Sequence, residues 1–259
     1  MTVESFQAGY LEIDPYELVD FLLRETGQYD REAVNPAELL EYLKLEALRF
    51  DFRTALPHEV HQAGSSPRAL LSFEDRLVAV DRTLNEKRSR FSLLHEMAHY
   101  VLPEHQWSMY LCDDLGLNAG TNLDYEKQAN AFAADLLFKG PLFAAEAAQM
   151  PVSVGSIVTL ADRYGASFEA TARRFVQRSL RLAMLVVFQR HDAQAGADVD
   201  AEPRWEVRSC IPSPAFRTRY FSRVTGVAPA EVSRTLDREF GDITKTETTE
   251  VTVPGREGD

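Results

Sequence analysis

Two histidines and a glutamate lie within little more than one helical turn of the sequence, as His95-Glu96-Met97-Ala98-His99. Residues four apart on a helix project from nearly the same face, so both imidazoles can reach one metal ion. Glu96 lies beside that face, where a carboxylate is badly placed to bind the ion but well placed to take a proton from a water that the ion activates. This H-E-x-x-H pattern is therefore typical of metal-dependent hydrolysis.

The alternative interpretation of the two histidines is a pair of surface residues that share the motif by chance. The surrounding pattern argues against it, because the opposite face of the same segment is apolar, as expected for a helix that packs inward. That apolar stripe consists of Phe91, Leu94, Ala98, Val101 and Leu102. Thr83 and Glu86 form a predicted capping box that opens this helix, and Pro103 predicts that it stops at Leu102.

A catalytic zinc site has three protein ligands and an open position for water, and the motif supplies two of the ligands. One candidate for the third is His105, which follows His99 at the spacing of the extended metzincin motif H-E-x-x-H-x-x-G-x-x-H. That motif has glycine where this chain has Leu102, and a residue before proline prefers extended backbone to the left-handed turn that the motif needs. The other interpretation of His105 is an exposed loop histidine.

The second candidate for the third ligand is Glu126, in a predicted helix from Leu123 to Phe138. The stripe that begins at Glu126 continues with Asn130, Ala133 and Leu137. Small neighbours, which allow two helices to approach closely, are Ala129, Ala131 and Ala134. A carboxylate on this helix, packed across the first helix, would complete a His-His-Glu site. Asn130, one turn further on, would then be an outer group that orients a ligand.

These segments carry a family resemblance. Residues 90–99, RFSLLHEMAH, and residues 126–137, EKQANAFAADLL, resemble the two signature segments of the ImmA/IrrE family of metallopeptidases. The likeness extends to the helical unit with residues 160–167 and covers roughly residues 40–180. The family often continues its second segment with Met-Pro, whereas this chain has Phe-Lys-Gly-Pro over residues 138–141, which we expect to alter a loop but leave the site in place.

The resemblance implies that His95, His99 and Glu126 are the metal ligands and that Glu96 is the general base and acid. Zn²⁺ is the default ion for two histidines and a carboxylate, with Mn²⁺ or Fe²⁺ as alternatives. Members of the family typically cleave a helix-turn-helix transcriptional repressor. The implied function is therefore limited, metal-dependent cleavage of such a repressor, which derepresses genes of stress responses or mobile elements.

Two other functions compete with this interpretation. The first is a DNA-binding transcriptional regulator whose metal site is structural or vestigial, although a structural site has no need of a base at Glu96. The second is a metzincin-type protease that uses His105 as its third ligand. Peptide hydrolysis with Glu126 as the third ligand accounts for more of the residues than either alternative.

The overall composition limits the partners. The chain has 259 residues, 45% of them hydrophobic, and a net charge of −12, which argues against nucleic acid as the main partner because phosphate binding depends on Lys and Arg. A locally basic stretch, Ser153 to Arg181, is interpreted as the solvated face of a helical hairpin, with DNA contact as the alternative. Its arginines are Arg163, Arg173, Arg174, Arg178 and Arg181. The first eleven residues lack the features of a secretory leader, and no apolar run is long enough for a membrane span, so we expect a cytoplasmic protein.

The periodicity of the chain predicts an α+β fold with a zincin-like core. Two amphipathic helices, near residues 16–23 and 36–43, precede a small sheet. After the two motif helices we expect a helix-turn-helix outline between Val154 and Arg178, followed by strands at 182–189 and 205–210. The predicted domains are a zincin-like metallopeptidase domain over 1–150, a helix-turn-helix-like segment over 151–181, and a small β region with a flexible tail over 182–259.

Overall fold

The computed structural model describes residues 15–55, 67–105, 109–113, 123–191 and 204–220. Within these ranges the chain forms two compact units. The first contains the described residues up to Ala145 together with Thr159–Ser167, and the second contains Glu146–Val158 and the described residues from Phe168 onward. Helices and strands are mixed in both units, which confirms the α+β class. The division into three domains stays a prediction.

Two short helices precede the sheet, where the sequence predicted them. They are α1 (Pro15–Glu25) and α2 (Pro36–Tyr42). Asn35 caps α2, because its side-chain oxygen accepts a hydrogen bond from the Ala37 N–H at 3.1 Å. The apolar face of α1 is buried, with 1–4% of each residue exposed at Leu18, Val19, Leu22 and Leu23. Both helices therefore form part of the core of the first unit.

A four-stranded sheet forms the second layer of the first unit. Its elements, with a short helix after the first strand, are β1 (Glu46–Phe50), α3 (Phe52–Ala55), β2 (Pro67–Ser72), β3 (Leu77–Asp81) and β4 (Met109–Asp113). The strand order is β1-β3-β2-β4, in which β1 pairs with β3 in parallel and the other pairs are antiparallel. The buried strand β3 lies in the centre, and the motif helix that follows it packs on β2 and β3.

The motif helix α4 extends over Glu86–Val101. The predicted capping box at Thr83 is wrong: the cap is Asn85, whose side chain accepts from the Arg88 N–H at 3.0 Å. Thr83 is already engaged, because its backbone N–H and its hydroxyl both donate to the Asp81 carboxylate, at 2.7 and 2.6 Å. The predicted stop is confirmed, since Leu102 is extended before Pro103.

The second motif helix, α5, extends over Leu123–Phe138, as predicted. Its end is a pair of left-handed residues, Lys139 and Gly140, with φ of +53° and +50°. The Gly140 N–H donates to the Asp135 carbonyl at 2.9 Å and the Lys139 N–H donates to the Leu136 carbonyl at 3.2 Å, which is the Schellman arrangement. The residues that depart from the family pattern, 138–141, therefore lie at the end of α5.

Lys139 is almost wholly buried, with 3% exposed. Its ammonium group donates to the carbonyls of Gln28, at 2.9 Å, and Tyr29, at 3.2 Å, in the loop that follows α1. Burial lowers the pKa of this lysine. The side chain therefore joins the end of α5 to the loop that follows α1.

Four helices and two strands follow α5 in the described part of the chain. They are α6 (Pro141–Gln149), α7 (Val154–Arg163), α8 (Phe168–Arg178), β5 (Met184–His191), β6 (Arg204–Pro212) and α9 (Pro214–Tyr220). Gly165, with φ of +60°, lies in the turn between α7 and α8. In the second unit, β5 and β6 form an antiparallel two-stranded sheet. The sequence predicted α7, α8 and both strands but neither α6 nor α9, and the predicted tail lies outside the described residues.

Two arginines of the basic stretch, Arg173 and Arg181, form hydrogen bonds within the second unit. Arg173 and Arg208 both donate to the Glu169 carboxylate, and Arg173 also donates to the Ser209 hydroxyl at 3.1 Å. Arg181 donates to two backbone carbonyls at the end of α6 and just beyond it, and Arg174 is buried. These contacts favour the hairpin interpretation over DNA contact. Across the described part of the chain, every helix is too short or too polar to cross a lipid bilayer.

Candidate metal centre

The site forms where α4 packs against α5. His95 and His99 lie one turn apart on α4 and are buried, with 7% and 0% exposed. Glu126 lies in the first turns of α5, with 14% of its side chain exposed. The small residue Ala129, 0% exposed, lies on the same helix one turn after Glu126. The structure therefore brings together the two histidines and the carboxylate that the sequence singled out.

The ligand atoms of the three residues face one another. The Nε2 atoms of His95 and His99 are 3.1 Å apart. One carboxylate oxygen of Glu126 lies 3.1 Å from His95 Nε2, and the other lies 3.3 Å from His99 Nε2. All ligand atoms of the group lie within 4.8 Å of one another.

This geometry fits a metal ion. A tetrahedral ion with ligand bonds of about 2.0–2.2 Å separates its ligands by about 3.3 Å, and the three observed distances lie close to that value. Two imidazole nitrogens and a carboxylate oxygen are also the donor set that catalytic zinc sites use. Exposure of Glu126 leaves one side of the cluster accessible to water. His95, His99 and Glu126 are therefore the residues that could hold a cation.

The charges of the site are coupled. Burial opposes protonation of His95, but the hydrogen bond and charge of Glu126, together with the charge of Glu96, outweigh it and raise the pKa of His95. Burial and the neighbouring His95 lower the pKa of His99 to about 4. Burial alone would raise the pKa of Glu126, but its hydrogen bond with His95 holds it far below its usual range. Glu126 is thus an anion, and His95 is the ring whose proton competes with a metal.

This competition predicts a pH-dependent metal affinity. A cation must displace the proton from His95, so affinity falls as the pH drops below the raised pKa of that ring, by up to about tenfold for each pH unit. Competition with a chromophoric chelator for Zn²⁺, repeated between pH about 6 and about 8, measures the slope. An affinity that is constant over this range would contradict the assignment of His95 as a ligand.

Glu96 is wholly buried, at 0% exposed, next to His95 on α4. Its negative charge contributes to the raised pKa of His95, which places the carboxylate in the electrostatic environment of the cluster. It is not a member of the three-residue ligand group. This is the arrangement expected of a group that moves a proton beside a metal centre.

His105 differs from both sequence interpretations. It is 0% exposed, so the expectation of an exposed loop histidine is wrong. Its Nδ1 lies 3.0 Å from Nδ1 of His99, on the opposite edge of that ring from the cluster, so it lies behind a ligand. The reason is the helical turn Pro103–His105, which follows the extended Leu102 and folds the histidine back against α4.

Two residues of α5 hold the His105 ring, and sequence reasoning missed this role for both. Gln128 places its side-chain oxygen 2.9 Å from His105 Nε2. Tyr125 packs its ring on His105 with 4.6 Å between the ring centres. The available signal was that Tyr125 and Gln128 are three residues apart and therefore share a helix face beside Glu126.

Two other residues near the ligands in sequence have separate contacts. Arg90, on α4 before the motif, donates to the Val34 carbonyl. Tyr125 packs on His105.

Asn130 lies where the helix stripe predicted, one turn after Glu126, and it is among the groups that raise the pKa of His95. We expect Asn130→Ala to lower metal affinity by about ten- to a hundredfold, because groups that orient a ligand have effects of that size. Zn²⁺ competition on the purified variant, beside Lys127→Ala as an exposed control on the same helix, measures it. An unchanged affinity would remove Asn130 from the site.

The residues of this site fall within the match to a known protein family. The family model of the IrrE N-terminal-like domain, a peptidase family, matches residues 41–176, just over half of the chain and the whole of the ligand cluster. No curated protein sequence matches the chain. Among solved structures, a Mycobacterium tuberculosis transcriptional regulator is similar, with 16% identity and a TM-score of 0.44 over 77% of this chain. The aligned part spans about half of that protein, at 55%.

Proposed function

The chain belongs to the family of IrrE N-terminal-like domains and so contains a metallopeptidase-type domain, and on this premise we propose that it is a zinc-type endopeptidase that makes limited cuts in a protein substrate. The observation that carries the proposal is the buried His95, His99 and Glu126 cluster with the buried Glu96 beside it. A structural site would need no such carboxylate.

When bound, a divalent cation lowers the pKa of water and polarises a peptide carbonyl. His95, His99 and Glu126 would hold it, with the carboxylate at the accessible side. Glu96 would accept the proton of the attacking water and deliver it to the leaving amine. Burial of Glu96 keeps bulk water from its carboxylate, so the proton it accepts is retained for the second transfer.

We propose a helix-turn-helix transcriptional repressor as the substrate class, on the strength of the family resemblance. A peptidase needs several residues of its target in extended form, and a repressor with a flexible segment presents them. Cleavage at one or a few sites would then derepress genes of a stress response or a mobile element.

The test uses candidate helix-turn-helix repressors encoded near this protein and a casein-like unstructured protein. Each is incubated with the chain and Zn²⁺ or Mn²⁺, with a chelator, and with the Glu96→Gln variant as a matched control. We expect discrete, metal-dependent fragments of a repressor and little digestion of casein. Robust digestion of casein alone would show a general peptidase. No cleavage with metal bound, together with an effect on DNA binding, would favour the regulator.

A further inference from the structure

His105 has a hydrogen-bond partner at each ring nitrogen. Nδ1 lies 3.0 Å from His99 Nδ1, and Nε2 lies 2.9 Å from the side-chain oxygen of Gln128. The ring is completely buried and is packed on Tyr125. It is therefore fixed in orientation between a metal-ligand candidate and a residue on the second motif helix.

The chemistry of these atoms sets the direction of each hydrogen bond. The side-chain oxygen of Gln128 only accepts, so His105 Nε2 must donate. A neutral imidazole has one N–H, so Nδ1 of His105 carries a lone pair and accepts from His99 Nδ1. The proton of His99 is then on Nδ1, and its Nε2 presents a lone pair toward Glu126 and His95.

We propose that Gln128 and His105 form a hydrogen-bond relay that holds His99 in the tautomer able to bind the metal. The proposal rests on the metal centre proposed above and adds two positioning residues to it. Metal-ligating histidines usually donate their second N–H to a carboxylate, a carbonyl or water. Here a neutral imidazole takes that place, and the amide of Gln128 is the final acceptor.

Loss of the relay should change which ring nitrogens of His105 and His99 carry a proton. Without the acceptor at position 128, His105 can hold its proton on Nδ1 and donate it to His99. His99 would then carry its own proton on Nε2, the nitrogen that faces Glu126, and a metal would have to displace it. The loss should therefore appear in metal affinity and in the tautomer of His99.

The experiment compares Gln128→Leu, which removes the acceptor, with Gln128→Glu, which keeps one. Gln128 is an exposed residue, so both variants should fold, and circular dichroism checks that they do. Lys127→Leu, at an exposed neighbour that pairs with Asp124, is the matched control. The readouts are Zn²⁺ affinity by competition and the His99 tautomer by ¹⁵N nuclear magnetic resonance of the metal-free protein.

We expect Gln128→Leu to bind Zn²⁺ about ten- to a hundredfold more weakly and to shift His99 toward the Nε2–H form. Gln128→Glu should keep both properties near wild type, and Lys127→Leu should match wild type. Wild-type affinity and tautomer in Gln128→Leu would overturn the relay, as would an Nε2–H form of His99 in the wild-type protein. Failure of the wild type to bind any divalent ion would instead overturn the proposed function, and the tautomer measurement would still decide the relay.

Discussion

Glu96→Gln is expected to reduce peptide cleavage by about a hundred- to ten-thousandfold and to leave metal content unchanged, because the amide cannot accept the proton of the attacking water. The substitution is nearly isosteric at a position with 0% exposure, so no cavity forms. Cleavage rates on the repressor substrate and metal content of the purified protein are measured on the same preparation.

The wild-type protein with and without chelator provides the control for that experiment. Loss of bound metal in Glu96→Gln would show that Glu96 acts as a ligand, which would contradict its assignment as a base. Undiminished cleavage would show that the proton is handled elsewhere. If the protein is a regulator, the variant should keep its effect on transcription.

Glu126→Ala is expected to abolish stable metal binding, with a loss larger than the roughly hundredfold effect of outer groups. Removal of this carboxylate takes away the only anion among the three clustered ligands and leaves two imidazoles with no negative partner between them. Metal content after dialysis against a weak chelator measures the loss.

Asp124→Ala is the matched control for Glu126→Ala. Asp124 lies on the same helix two residues earlier, and 74% of its side chain is exposed in a pair with Lys127. The Asp124→Ala variant should bind metal as the wild type does. Full metal content in Glu126→Ala would place the third ligand elsewhere, and His105 would have to be reconsidered for that role.

Much of the site could be predicted because it depends on helical periodicity. The four-residue spacing of His95 and His99 holds in any helix, and the small residues around Glu126 indicated which helix would approach. His105 could not be placed in this way, because its position depends on how the chain turns after Leu102. The role of Gln128 follows only once His105 is placed.

The fold shows the same division between local and long-range information. The order β1-β3-β2-β4 depends on pairing between distant segments, which strand periodicity does not encode. Asn85 replaced Thr83 as the helix cap because the Asp81 side chain competes for the threonine. Helix α9 was missed because Pro214–Tyr220 buries no residue and so has no apolar pattern to detect.

The buried ammonium of Lys139 has a consequence for how the first unit opens. It joins the C-terminal end of α5 to the loop after α1, two segments more than a hundred residues apart, and α1 also packs on α5. Helix α1 lies before the residues that match the family model. Its backbone amides should nevertheless exchange with deuterium in one cooperative event with those of α5, since α1 packs on α5 and opening α1 together with the loop that follows it would take both acceptors away from the buried ammonium. The part of the chain that unfolds together with the peptidase domain therefore begins before residue 41, where the match to the family model begins.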